Sequence, residues 1–149
     1  MNNLKRGDKA PDFSAKDQNG NTISLADFKG KKLILYFYPK DNTPGCTAEA
    51  CGLRDSYQSI REMGYTVIGV SPDSEFSHSN FISKYKLPFS LIADTDKSVA
   101  MAYGVWGEKK MYGKTFTGLI RTTFKINKEG FIEDIITKVN TKNHAAQLL

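Results

Sequence analysis

Cysteine, histidine and tryptophan are scarce in this 149-residue chain, which has two, two and one of them. Two cysteines cannot build the disulfide framework of a small secreted domain, and a chain of this length buries a core without one. Cys46 and Cys51, with only the distant His78 and His144 for company, do not supply the tight ligand pairs of a structural zinc site. No metal or cofactor is expected. Long apolar runs are also missing. The longest clean one, residues 33–38, has six residues, against about 20 for a membrane-crossing helix. The opening segment is polar and charged, unlike a signal peptide, so a cytoplasmic protein with no membrane partner is expected. With 40% hydrophobic and 25% charged residues, collagen, coiled-coil and disordered classes are excluded. One domain over residues 1–149 is expected.

Acidic residues are the minority among the charges, and the net charge is +5. Six bases (Lys109, Lys110, Lys114, Arg121, Lys125 and Lys128) face one acid, Glu108, between positions 108 and 128. A basic surplus invites a nucleic-acid reading. Here the bases are interrupted by glycines and apolar residues, and no recognised RNA or DNA motif is present. No nucleic-acid partner is expected.

The chain alternates strand and helix signals. Residues 32–38 (KLILYFY) read as a buried strand, followed by a turn cluster, PKDNTPG. Cys46, Ala50, Leu53, Tyr57 and Ile60 fall on one helical stripe, and Gly64 stands where a helix would end. Residues 65–71 predict a strand, 74–86 a helix, 89–93 a short strand and 97–103 a short helix. Segments 120–126 and 131–139 flank Asn127-Lys128-Glu129-Gly130, a hairpin signal. Residues 144–149 suggest a last helical turn. The pattern predicts an α/β fold with a mixed central sheet flanked by helices.

Cys46 falls in the first turn of its predicted helix, where free backbone N–H groups and the helix dipole favour an anion. An ordinary thiol, with pKa about 8.5, is only a few per cent thiolate at neutral pH. The dipole contributes about 0.3–1 kcal/mol, up to about 2 when partly buried, so a reactive thiolate needs a cation as well. His78 and Arg121 are the candidates. The spacing to Cys51 says more. Five helical residues place two Cα atoms about 8.7 Å apart on different faces, beyond the roughly 4.4–6.8 Å of a disulfide. The two thiols can pair only if the first turns melt. Two inert helix cysteines remain the competing reading at this point.

The string YFYPKDNTPGCTAEACGLRD over residues 36–55 contains PxxxTxxC, with Pro39, Thr43 and Cys46 at its marked positions. It resembles the active-site pattern of the peroxiredoxins, in particular the bacterioferritin comigratory protein (BCP/PrxQ) branch. The resemblance continues through residues 74–94 and 103–127, nearly the whole chain. It implies a thioredoxin-like fold and thiol-dependent reduction of hydrogen peroxide and organic hydroperoxides. Cys46 then matches the peroxidatic nucleophile, and Cys51 the resolving cysteine of members that form an intrahelical disulfide. Thr43 would hydrogen-bond the thiolate and peroxide. Arg121, in IRTTFKI, would supply the cation, and Pro39 would shape the pocket. Glu49 lies inside the motif, with a supporting role at most. Thioredoxin or a similar dithiol would be the reductant, and a monomer is expected.

Blander readings stand beside these. Thr43 fits a helix N-cap, Pro39 and Pro44 fit turns, and Arg121 reads as a strand residue next to Ile120. His78 lies on an apolar stripe and reads as structural. Trp106 and Tyr112 fall in an irregular glycine-containing stretch and read as packing or loop-tip residues. A general thiol–disulfide oxidoreductase would show C-x-x-C, whereas this chain has C-x-x-x-x-C. A non-enzymatic redox sensor would use the same Cys46 chemistry. Relatives of the branch commonly continue a longer final helix than the NHAAQLL found here.

Overall fold

The computed structural model describes residues 4–149. Its centre is a five-stranded mixed sheet built from β3 (Lys32–Phe37), β4 (Tyr65–Ser71), β5 (Ser90–Ala93), β8 (Thr122–Ile126) and β9 (Ile132–Ile136). The strand order is β5-β4-β3-β8-β9. β3 and β4 run parallel, as do β4 and β5, while β8 and β9 add antiparallel strands. This is the expected mixed sheet flanked by helices, on a thioredoxin-like fold.

The alternation of side chains along β3 explains the layering. Leu33, Leu35 and Phe37 pack with Val70, Phe124 and Tyr103 on one face. That face is covered by α4 (Ser98–Ala102) and a small hairpin of β1 (Ser14–Lys16) and β2 (Thr22–Ser24). Ile34, Tyr36 and Tyr38 point the other way, towards Ala50, Leu53, Ile60, Phe81 and Leu148. These come from α1 (Pro44–Asp55), α2 (Tyr57–Glu62), α3 (Glu75–Tyr85) and α5 (His144–Leu148). Gly69 lets this face close: a Cβ there would lie 2.6 Å from Leu91 Cδ2 and 2.9 Å from the Tyr36 ring.

Three expectations are corrected. The stripe from Cys46 to Ile60 is not one helix, because the chain leaves helical geometry at Ser56 (φ −104°, ψ 9°) and restarts as α2. Asp55-Ser56 are poor helix formers whose side chains favour caps. The stretch with Trp106 and Tyr112 is regular rather than irregular. β6 (Trp106–Met111) and β7 (Lys114–Leu119) pair antiparallel around a two-residue turn, Tyr112-Gly113. Both turn residues have positive φ (54° and 75°), which matches strand twist. Arg121 is not in a strand; it sits between β7 and β8. Among the described residues, no helix is long and apolar enough to cross a membrane.

Candidate active site

Where β3 leaves the sheet, Pro39 supplies no N–H to extend the ladder, and the turn through Asp41 and Asn42 brings the chain to Thr43. Thr43 occupies the N-cap position of α1, and Pro44 follows at its first turn. The Thr43 hydroxyl makes no capping bond. It donates to the Lys40 carbonyl at 2.8 Å. Cys46 is the third residue of α1 and is buried, while Cys51 on the same helix is half-buried. Both are free thiols, as helix geometry requires. Cys51 borders an open surface depression with Thr47, Pro44, Lys84 and Tyr85.

Arg121 is the cation that reaches the thiol. Its Nη2 donates to Cys46 Sγ at 3.2 Å, and its Nη1 to Glu49 Oε1 at 2.5 Å. Burial works against the guanidinium charge, but Glu49 and Cys46 together raise its pKa. Burial also pushes Glu49 up to about 7, against the lowering influence of Arg121. Lys109 on β6 is held below its ordinary value, first by burial and then by the Arg121 charge. The structure thus brings Cys46, Arg121 and Glu49 together one helical turn from Thr43. Glu49, expected to give support at most, is fully buried and ion-paired with Arg121.

His78, the other candidate cation, belongs to a different network. Its Nε2 lies 2.8 Å from the Ile92 carbonyl and its Nδ1 2.7 Å from Asp41 Oδ2. Asp41 also accepts from Tyr38 Oη at 2.6 Å and Ser77 Oγ at 2.8 Å. Asp41, Asp73 and His78 lie close enough to suggest metal ligation. Their polar atoms instead hold one another, with Asp73 Oδ2 accepting from the Asp41 N–H and Ser71 Oγ. The network ties the turn before α1 to α3. Nothing in the sequence pattern had signalled it, since its partners are scattered from Tyr38 to Ile92.

The Cys46 thiol thus sits in the first turn of a helix at the end of β3, with the Arg121 guanidinium on its sulfur. The chain belongs to the AhpC/TSA family, whose sequence profile matches residues 6–135, and it is a peroxiredoxin of the Bcp/PrxQ type. It is 49% identical over 146 residues to Peroxiredoxin Bcp of Bacillus subtilis, covering 98% of this chain and 93% of that protein. Peroxiredoxin Bcp of Escherichia coli is 46% identical over 144 residues, 97% of this chain and 92% of that one. Among solved structures, Xylella fastidiosa PrxQ superposes with a TM-score of 0.91 at 31% identity, covering 99% of this chain and 94% of its own. Xanthomonas campestris Peroxiredoxin Q gives 0.86 at 36% identity, covering 91% and 86%.

Proposed function

We propose that this chain acts in the cytoplasm as a monomeric, single-domain, thioredoxin-dependent peroxidase for hydrogen peroxide and organic hydroperoxides. The Cys46 thiolate attacks one peroxide oxygen; an S–O bond forms, the O–O bond breaks, and the departing alkoxide or hydroxide leaves as alcohol or water. Cys46 is left as the sulfenic acid. The Cys51 thiolate then attacks the Cys46 sulfur, forming the S–S bond and breaking the S–O bond; the expelled hydroxide takes up the proton Cys51 gave up and leaves as water. A dithiol such as thioredoxin returns both thiols by exchange.

The observation that carries this reading is the Arg121 contact: one guanidinium edge on Cys46 Sγ at 3.2 Å, the other fixed on Glu49. A donor held by a buried carboxylate stabilises charge both on sulfur and on the departing oxygen. Thr43 keeps one of its two expected roles, because its hydroxyl proton is not given to the Cys46 sulfur. Its proton is committed to the Lys40 carbonyl, so its oxygen is left to accept the hydroperoxide O–H. Pro39, half-buried beside this turn, shapes the pocket. Organic substrates are supported by a similar protein, Xanthomonas campestris bacterioferritin comigratory protein, whose structures concern alkyl peroxide reduction.

The Cys51→Ser variant tests the second half of the cycle. It should consume one equivalent of peroxide at the wild-type rate, while turnover with thioredoxin drops about a hundredfold or more, since the intramolecular thiol is gone. Unimpaired turnover would show that Cys51 is not the resolving thiol.

A further inference from the structure

Glu49 uses one carboxylate oxygen on Arg121; the other, Oε2, is buried and has no hydrogen-bond partner. An ionised oxygen left bare in an apolar interior is costly. Nε2 of His144, on α5, lies 3.6 Å from it. His144 is itself fully buried.

The hydrogen bonds around His144 fix its tautomer. Gln147 Nε2 donates to the Lys138 carbonyl at 2.9 Å, and Gln147 Oε1 accepts from the Asn140 N–H at 2.8 Å. The amide orientation is therefore set, and Oε1 can only accept from His144 Nδ1, 2.7 Å away. Nδ1 carries a hydrogen, so in neutral His144 the lone pair is on Nε2. In that state Thr123 Oγ1 donates to the lone pair, and Glu49 Oε2, 3.6 Å from Nε2, receives no hydrogen from the ring. An ionised Glu49 then faces an uncharged ring and finds no donor; one added proton on either group relieves this. Thr123 Oγ1, 2.8 Å from Nε2, suits both states, because a hydroxyl donates to a bare nitrogen or accepts from a protonated one.

We propose that His144 is a positioning residue for Cys46, acting through Glu49: the buried Glu49–His144 pair holds one shared proton, and that proton governs how strongly Arg121 serves the Cys46 sulfur. With the proton in place, the pair is neutral as a unit and the guanidinium is available to the thiolate. When it is lost, Glu49 is a full anion that draws Arg121 to itself and repels the thiolate. This rests on the reading of Cys46 as the reactive thiol.

The charged surroundings are specific. From α1 come Cys46 and Glu49, and from the connection before β8, Arg121. Tyr36 on β3 feels Glu49, which helps raise its pKa after burial. Lys109 on β6 is coupled to the charges of Arg121 and Cys46. Lys125 on β8 is engaged by the Leu148 carbonyl at 3.1 Å. Burial holds His144 below its ordinary pKa while holding Glu49 above its own. Such a pair titrates as a unit.

The experiment uses the full chain with Cys51→Ser, so that Cys46 is the one remaining thiol, and reads Cys46 alkylation by iodoacetamide across pH. His144→Gln, whose amide N–H can donate to Oε2 and so stabilises the Glu49 anion with no proton to share, should slow alkylation at neutral pH about threefold or more, the equivalent of about half a pH unit in thiolate population. His144→Leu, which leaves Oε2 against an apolar wall and so keeps Glu49 protonated, should alkylate at the wild-type rate or faster. Equal rates in the two variants, or slowing in His144→Leu alone, would overturn the proposal. Imidazole NMR of His144 in the otherwise unaltered chain supplies a readout that does not depend on the variants folding. Replacing Cys46 by Ser removes the thiolate and should lower the pH at which His144 responds; an unchanged midpoint would overturn the coupling. Alkylation is independent of peroxide. A Cys46 that alkylates as described but is not oxidised by hydroperoxide would overturn the proposed function and leave the coupling standing.

Discussion

Burial raises Glu49 to about 7 even with the Arg121 guanidinium bonded to it. An acid whose folded pKa lies above its ordinary value binds its proton more tightly in the native chain. Its contribution to stability is fully present below about 4.5 and is lost as pH rises through about 7. Urea unfolding of wild type and Glu49→Gln should therefore diverge. Between about pH 5 and about pH 8 the wild type should lose about 2 kcal/mol relative to the variant; parallel curves would contradict the buried-acid account. At this scale the sequence was informative where residues sit in one motif. Pro39, Thr43 and Cys46 share a short string, and Arg121 is recognisable by resemblance. The tie between Glu49 and His144 was not legible. It depends on α5 folding back onto α1 across most of the chain, and no local pattern encodes that contact.

The elements explain why the two cysteines are unpaired and what the proposed disulfide requires. While α1 (Pro44–Asp55) is intact, Cys46 and Cys51 point to different faces. Disulfide formation has to undo the first turns of the helix, and the break already present at Ser56 separates those turns from α2. Amide exchange over residues 46–53 should thus be about tenfold faster or more in the disulfide form than in the dithiol form. Equal protection in both redox states would contradict a melted helix start. The strands of the central sheet and α3 were readable from periodicity, because one or both faces are buried. The β6–β7 hairpin was not. Its residues are mostly exposed and polar, and Tyr112-Gly113 lacks the Asn-Gly or Asp-Gly signature of a tight turn.

Across the whole molecule the positive charge is placed rather than spread. Lys109, Lys110 and Lys114 lie on the β6–β7 hairpin, and Arg121 follows it directly into the site. That potential favours an anionic sulfur and the approach of an acidic redox partner. Raising ionic strength from about 0.01 M to about 0.5 M should slow reduction of the disulfide by thioredoxin about threefold or more; an unchanged rate would contradict electrostatic steering. The five-stranded sheet fixes the rest by bringing the start of α1, at the end of β3, beside the entrance to β8, where Arg121 meets Cys46. The most direct test of that meeting is stopped-flow oxidation of Cys46 by one equivalent of hydrogen peroxide, in wild type and in Arg121→Ala. The account predicts oxidation of the wild type far faster than free cysteine, and a loss of about a hundredfold or more in the variant. A wild-type rate no better than free cysteine would contradict it.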